Sequence, residues 1–168
     1  MKKGACLCPF KQNNLNVVIL IITYYNFAQP ILFAVKKKIL IIEDDKDTSE
    51  MLGYIADQLN CMVLKSAGVV SLSVIEGLSP DLILLDNWLG ESLGSNLCLE
   101  IKNNRATKNI PVIMISGQSN LYQITKACCA DGYIEKPIDL NTLEKVIMKF
   151  TGKPLHTADQ KTTSPVAG

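Results

Sequence analysis

Short apolar runs alternate with amphipathic stretches along most of this chain, from residue 36 to about residue 152. Three of the runs are continuous and rich in β-branched residues, a pattern typical of parallel strands that are covered on both faces. Two shorter runs continue the same spacing. The predicted strands are therefore 39–42, 62–67, 82–85, 112–115 and 133–135.

Apolar residues at helical spacing occupy the intervals between the predicted strands. The last helix has the clearest apolar stripe, and Gly152 follows it as a stop signal. The first helix has Asp47, Thr48 or Ser49 available to cap its start. The predicted helices are 47–60, 70–78, 94–103, 119–130 and 139–151. Five strands alternating with five helices predict a doubly wound α/β fold around a parallel sheet.

The two ends of the chain differ from this pattern and divide it into segments 1–35, 36–152 and 153–168. Residues 15–35 lack charge and are long enough to span a bilayer, but polar residues and a proline interrupt them. Three interpretations stay open: a membrane anchor, a start assigned too early with translation beginning at Val35, or an apolar helix that packs on the domain or a partner. The polar, aperiodic segment 153–168 predicts a disordered tail with no further domain after it.

The overall composition excludes some classes of function. Lys and Arg together number 17 and Asp and Glu 16, which gives a net charge of +1 and no reason to expect direct nucleic-acid binding. The six cysteines show no C-x-x-C spacing and the single His lies in the tail, which disfavours a zinc site. Buried, reduced thiols in a cytoplasmic protein are the simpler interpretation. Membrane contact is expected only if residues 15–35 are a real anchor, which would tether the protein to the inner face of the membrane.

Polar side chains follow the predicted strands at their carboxyl ends. Each one has an ordinary structural explanation, such as a helix N-terminus for an acidic run or a turn for Ser-Gly. Ligands of open parallel sheets, however, bind beyond the carboxyl ends of the strands. The joint placement of these groups at one edge therefore favours a functional site made of Glu43, Asp44, Asp45, Asp86, Ser116 and Lys136.

The chemistry of this set points to phosphoryl transfer. Several carboxylates that converge within a few Å cannot all stay ionised without a cation, and hard oxygen ligands suit Mg²⁺. A carboxylate held there can attack phosphorus and form an aspartyl phosphate. Lys136 is the obvious second cation for the developing charge, and Ser116 can donate a hydrogen bond to a phosphoryl oxygen. A core strand that ends on Asp86 would present that carboxylate rigidly.

Four spaced motifs in residues 36–152 match one known pattern. "KKKILIIEDDKD" and "PDLILLDNWLGESLG" are similar to a first strand with its acidic pair and to a phosphoacceptor strand with its loop. "IPVIMISG" and "ADGYIEKPIDLNTLEKVI" match the strand with the switch hydroxyl and the final strand, Lys-Pro pair and last helix. The segment thus resembles a receiver domain of two-component response regulators. This resemblance implies a flavodoxin-like sheet with strand order 2-1-3-4-5.

The resemblance also implies a role for each acidic residue. Asp86 would be the phosphorylated side chain, in a reaction that depends on Mg²⁺. Asp44 would ligate Mg²⁺ directly, and Glu43 would act largely through water. The acidic pair would be Glu43 and Asp44 rather than Asp45, and the backbone carbonyl of Trp88 would complete the protein ligands.

The remaining roles fall on the last two strands. Ser116 would sense the phosphoryl group and Lys136 would neutralise its charge, with the Lys136–Pro137 bond expected to be cis. Tyr133 aligns with the aromatic residue that changes rotamer when the hydroxyl moves. Two positions depart from the family pattern, since Gly90 stands where proline is usual and Cys129 where glycine is common.

We expect from this resemblance a signalling domain rather than an enzyme. Its phosphodonor would be a sensor histidine kinase or a histidine phosphotransfer protein, and it would signal by contact with a downstream protein. One alternative is a haloacid-dehalogenase-like phosphatase, although that chemistry needs a second Asp where Trp88 stands. A flavodoxin-like cofactor binder is the other, although the acidic run 43–45 would repel the cofactor's phosphate.

Overall fold

The computed structural model describes residues 36–152 as alternating strands and helices. The strands are β1 (Lys38–Ile42), β2 (Met62–Ser66), β3 (Leu82–Asp86), β4 (Trp88–Leu89), β5 (Ser92–Leu93), β6 (Val112–Ser116) and β7 (Gly132–Glu135). The helices are α1 (Lys46–Gln58), α2 (Leu72–Leu78), α3 (Gly94–Asn103), α4 (Leu121–Ala127) and α5 (Leu140–Thr151). The predicted doubly wound α/β fold is confirmed.

Five of the strands form one parallel sheet in the order β2-β1-β3-β6-β7. This is the expected order 2-1-3-4-5, because the two-residue strands β4 and β5 pair only with each other in a hairpin after β3. Strand β3 lies at the centre of the sheet, and its last residue, Asp86, pairs in register with Ile115 of β6. The topology therefore places the end of β3 between the ends of β1 and β6.

The core consists of one apolar layer on each face of the sheet. Alternate residues of each strand point to opposite faces, so that Ile39 and Ile41 pack with α1 and α5 while Leu40 and Ile42 pack with α2, α3 and α4. Every residue of β3 is buried. Burial on both faces explains why the strand patterns in the sequence are continuous rather than alternating. Each fully buried leucine or isoleucine contributes roughly 1.5–3 kcal/mol of hydrophobic stabilisation.

The ends of two helices differ from the predicted ones. The expected caps at Asp47, Thr48 or Ser49 are wrong, because α1 starts at Lys46 and its cap is Asp45, whose Oδ1 accepts a hydrogen bond from Thr48 N at 2.7 Å. Helix α4 is shorter than predicted, because Cys129 turns into the left-handed region with a φ of 58° directly after the C-cap. Gly152 has a φ of 69° and ends α5 as predicted.

Several predictions concern residues outside 36–152. The three interpretations of residues 1–35 and the disordered tail at 153–168 lie outside the described residues. Within 36–152, none of the helices is both long and apolar enough to cross a bilayer. Three cysteines of this segment are buried as expected, at positions 61, 98 and 128, whereas Cys129 is exposed.

Candidate functional site

One pocket at the carboxyl edge of the sheet brings together six of the seven predicted site residues. The loops after β1 and β3 and the ends of β6 and β7 form its walls. Those six residues are Glu43, Asp44, Asp86, Trp88, Ser116 and Lys136, and Asp45, Gly117 and Gln118 complete the lining. The seventh, Tyr133, lies on β7 outside this lining, 39% exposed, with its ring edge-to-face against Tyr122 at 6.3 Å between centroids.

Three carboxylates form the acidic part of the site. One oxygen from each of Glu43, Asp44 and Asp86 lies within 4.8 Å of the other two. Glu43 and Asp86 are only 2% and 5% exposed, whereas Asp44 is exposed to solvent. Burial raises the pKa of Glu43 and of Asp86, and the negative charge of Asp86 raises the pKa of Glu43 further. The site therefore has more negative charge than the chain itself neutralises.

Lys136 is the cation of the pocket. Its Nζ lies 2.9 Å from Glu43 Oε2 and 3.3 Å from Asp86 Oδ1, so that one ammonium bridges the two buried carboxylates. Burial alone would lower the pKa of Lys136, but the hydrogen bond to Glu43 and the charge of Asp86 outweigh it and raise that pKa. The Lys136–Pro137 bond is cis, as expected.

The two neighbouring aspartates after β1 have different partners. Asp44 Oδ2 accepts a hydrogen bond from the backbone N of Gly90 at 3.1 Å, which joins the loop after β1 to the β4–β5 hairpin. Asp45 instead caps α1, which lowers its pKa through the hydrogen bonds from Thr48. The acidic cluster thus contains Asp44 and not Asp45, and the ligand roles of Glu43 and Asp44 stay predictions. Gly90 has a φ of 61°, a conformation that glycine adopts without strain.

Trp88 and Ser116 line the pocket together with Asp86. Trp88 is 59% exposed, and burial raises the pKa of Asp86 while the charge of Lys136 and, to a smaller extent, the backbone N–H of Trp88 oppose that rise. Ser116 is buried at the end of β6, and its Oγ accepts a hydrogen bond from Gln118 N at 3.3 Å. The ligand role of the Trp88 carbonyl and the switch roles of Ser116 and Tyr133 stay predictions.

Sequence reasoning did not single out Asn87 and Gln118. Asn87 follows β3 directly and is only 2% exposed, with its carboxamide hydrogen-bonded to Gln118. A second polar residue behind Asp86, at the end of an apolar strand, is the only signal that the sequence contained, and it did not distinguish Asn87 from an ordinary turn residue. Only the tertiary structure shows that the Asn87 side chain is buried and that it bonds to Gln118.

Gly94 is required by the position of its backbone. A Cβ at residue 94 would overlap the backbone carbonyl oxygen of Asp86, because the start of α3 crosses closely over the end of β3. We expect Gly94→Ala to lower the free energy of unfolding by about 1–3 kcal/mol, the usual cost of overpacking. The overlap is with backbone, which cannot move aside as a flexible side chain can. Urea unfolding measures this change.

The matched control for this substitution is Gly77→Ala in α2, where an added Cβ would meet nothing within 4 Å. Removing a glycine from a helix should stabilise the protein by roughly 0.5–1 kcal/mol. Equal unfolding free energies for the two variants would contradict the close approach of α3 to Asp86.

Comparisons with known proteins agree with this architecture. Residues 39–148 match the model of the response regulator receiver domain family. The chain is 29% identical over 109 residues to Protein PilG of Pseudomonas aeruginosa, covering 63% of this chain and 81% of that one. It is also 29% identical over 107 residues to Histidine kinase P4 of Formosa agariphila, covering 62% of this chain but only 8% of the kinase.

Solved structures show the same fold. The signal receiver domain of the DNA-binding response regulator merR from Colwellia psychrerythraea superposes with a TM-score of 0.64 and 28% identity, over 70% of this chain and 99% of that domain. Because the family model matches more than half of the sequence, the chain belongs to the response regulator receiver domain family.

Proposed function

We propose that residues 36–152 accept a phosphoryl group on Asp86 from a phosphohistidine donor and signal the modification by protein–protein contact. One observation supports this proposal most directly. A nearly buried carboxylate at the end of the central strand contacts Lys136 at 3.3 Å and lies within 4.8 Å of two further carboxylates. An arrangement with such a shortage of positive charge is costly for a fold and is typical of functional sites.

The donor atoms at this site suit a magnesium ion. All three side chains of the acidic cluster offer carboxylate oxygen, the hard ligand that Mg²⁺ prefers, and the exposed Asp44 leaves one side of the pocket open to water. We infer that Asp44 and Asp86 would hold the ion, with Glu43 acting through water and the Trp88 carbonyl completing the protein ligands. Bound Mg²⁺ would supply positive charge beside the phosphoryl oxygens and lower the repulsion among the carboxylates.

The transfer itself needs a nucleophile and a stabilised transition state. An Asp86 carboxylate oxygen attacks phosphorus and forms an O–P bond as the P–N bond of the donor phosphohistidine breaks. The electron pair of that bond returns to the imidazole nitrogen, and a proton on the other ring nitrogen makes the leaving group neutral histidine rather than an imidazolate. Lys136 offsets charge on the phosphoryl oxygens, and the Ser116 hydroxyl donates a hydrogen bond to one of them. Tyr133 would report the movement of Ser116 at the surface of β7.

The partners follow from this chemistry as proposals. The donor is a sensor histidine kinase or a histidine phosphotransfer protein, which supplies the phosphoryl group on nitrogen. A segment of Histidine kinase P4 resembles this chain, so the same type of domain also occurs within a kinase. The downstream partner is a protein that distinguishes the phosphorylated from the unphosphorylated surface.

A direct test uses acetyl phosphate as a small phosphodonor. Incubation of the full chain with acetyl phosphate and Mg²⁺ should raise the intact mass by one phosphoryl group, and the same incubation with a chelator in place of Mg²⁺ should not. The group should be lost at alkaline pH, since an acyl phosphate hydrolyses there whereas a phosphoserine is more stable. A wild-type protein that gains no mass in the presence of Mg²⁺ would refute the proposal.

The phosphatase alternative is disfavoured by the residue at position 88. That chemistry needs a carboxylic acid two residues after the nucleophile, to protonate the leaving group. Trp88 is there instead, and its indole N–H does not act as an acid in water. The flavodoxin-like alternative conflicts with the acidic cluster, because three carboxylates repel a cofactor phosphate that binds without a metal ion.

A further inference from the structure

Asn87 is a buried polar residue whose side-chain oxygen and nitrogen bond to two different segments beside the site. Its Oδ1 accepts a hydrogen bond from Ser95 N in the first turn of α3 at 3.0 Å, and its Nδ2 donates to Gln118 Oε1 at 3.1 Å. Its backbone N donates to Ile115 O in β6 at 3.0 Å. The residue after the phosphoacceptor is thereby tied both to α3 and to the loop that follows β6.

The orientation of this carboxamide is determined by its partners. A backbone N–H can only donate, so the Asn87 atom that faces Ser95 N is the oxygen. The amide nitrogen then faces Gln118, and the Gln118 atom that accepts from it is the side-chain oxygen. In the Asn87–Gln118 hydrogen bond, the donor is therefore Asn87 and the acceptor is Gln118.

Gln118 connects this bond to the hydroxyl of the site. Its side chain is held by Asn87, while its backbone N donates to Ser116 Oγ at 3.3 Å. A shift of the 117–118 turn would break the bond to Ser116, and the bond to Asn87 opposes that shift. An intact carboxamide pair therefore keeps Gln118 N where it donates to Ser116 Oγ, and this bond favours the resting position of the hydroxyl.

We propose that the Asn87–Gln118 carboxamide pair is a clamp that holds the Ser116 hydroxyl in its resting position and so slows phosphorylation of Asp86. This inference rests on the proposed function, and it assigns Gln118 as a positioning residue that acts through Ser116. A contact made in the resting state but weakened in the transition state raises the barrier by the difference. The net value of one hydrogen bond then predicts a rate increase of about twofold to tenfold when the clamp is removed.

The test compares two substitutions of the same kind. Gln118→Met keeps the length of the side chain but removes the oxygen that accepts from Asn87, and Gln123→Met is the control because Gln123 lies exposed on α4. The rate of mass gain with acetyl phosphate and Mg²⁺ should rise about twofold to tenfold for Gln118→Met and stay at the wild-type value for Gln123→Met. Calorimetric titration of the unphosphorylated proteins should give the same Mg²⁺ affinity for all three, since the acidic cluster is untouched.

A double-substitution cycle separates the clamp from a direct effect of Gln118 in the pocket. Asn87→Leu removes the bond to Gln118 and also the one from Ser95 N, so its rate by itself can differ from that of Gln118→Met. Adding Gln118→Met to Asn87→Leu should give no further increase in rate, because the bond between the two side chains is already absent. Additive increases would overturn the clamp. If Asn87→Leu fails to fold, the comparison of positions 118 and 123 still decides the inference.

The outcomes distinguish this inference from the function on which it rests. A wild-type protein that gains no phosphoryl group refutes the proposed function. If the wild-type protein gains a phosphoryl group and Gln118→Met gains it at the same rate or more slowly, the clamp is refuted and the proposed function is not. A faster Gln118→Met with altered Mg²⁺ affinity would indicate general loosening of the pocket, which also overturns the clamp.

Discussion

Asp86→Asn will abolish the Mg²⁺-dependent mass gain from acetyl phosphate. The substitution keeps the shape of the side chain at the end of β3 but replaces a nucleophilic carboxylate oxygen with an uncharged amide. Intact-mass measurement checks the result, and Asp57→Asn on the exposed surface of α1 is the matched control that should gain one phosphoryl group as the wild type does. Equal mass gain in the Asp86→Asn variant would show that another residue is the acceptor.

The same variant should be more stable than the wild type near neutral pH without Mg²⁺. Burial raises the pKa of Asp86, so its ionised form costs folding free energy at pH values above the ordinary carboxyl pKa of 3.8. The cost grows as pH rises through the raised pKa and disappears at pH values below 3.8, where the carboxyl is protonated in both states. Urea unfolding of the two proteins at both ends of this range measures the difference. A variant that is less stable than the wild type at pH 7 would contradict the charge imbalance.

Lys136→Met has the second large expected effect. Methionine preserves much of the length of the side chain but removes the ammonium that contacts Glu43 and Asp86 at 2.9 and 3.3 Å. By comparison with the loss of one charge-stabilising donor in other active sites, the rate of phosphorylation should fall by about a hundredfold or more. Lys145→Met on the exposed side of α5 is the control and should leave the rate unchanged.

The loss of Lys136 should also destabilise the fold. Breaking a fully buried ion pair costs about 3–5 kcal/mol, and because the Lys136 side chain is 28% exposed we expect about 1–3 kcal/mol at neutral pH. Without the ammonium, the pKa of Glu43 rises further, so the destabilisation is present above that raised pKa and fades as pH falls below 4.5. Urea unfolding at pH 4 and pH 7 measures the loss of stability in Lys136→Met relative to the wild type. An equal loss at the two pH values would rule out this electrostatic origin.

Most of the fold was predictable because it depends on local pattern. The continuous apolar run of β3 predicted a strand buried on both faces, and the stripe of α5 with Gly152 behind it predicted both the helix and its end. The start of α1 was not predictable in the same way. Asp45, Asp47, Thr48 and Ser49 are all good capping residues, and only the path of the chain out of β1 selects Asp45.

The candidate site was also predictable only in part. The residue types at the strand ends predicted which side chains meet, since parallel strands deliver their carboxyl ends to one edge. The pattern did not predict that Lys136 bridges Glu43 and Asp86, or that Asp44 is bound by the backbone of Gly90. These contacts join residues far apart in the chain, and their distances depend on how the loops pack.

The sequence by itself determined the class of fold, the edge at which the site lies and the chemistry of the groups that reach it. These properties follow from hydrophobic periodicity and residue type, which act over a few neighbouring positions. Only the tertiary structure decided that Asn87 is buried and bonded to Gln118, and that Gly94 must lack a side chain beside Asp86. Close packing fixes such contacts to within fractions of an ångström, and it arises from all the elements together rather than from any one segment.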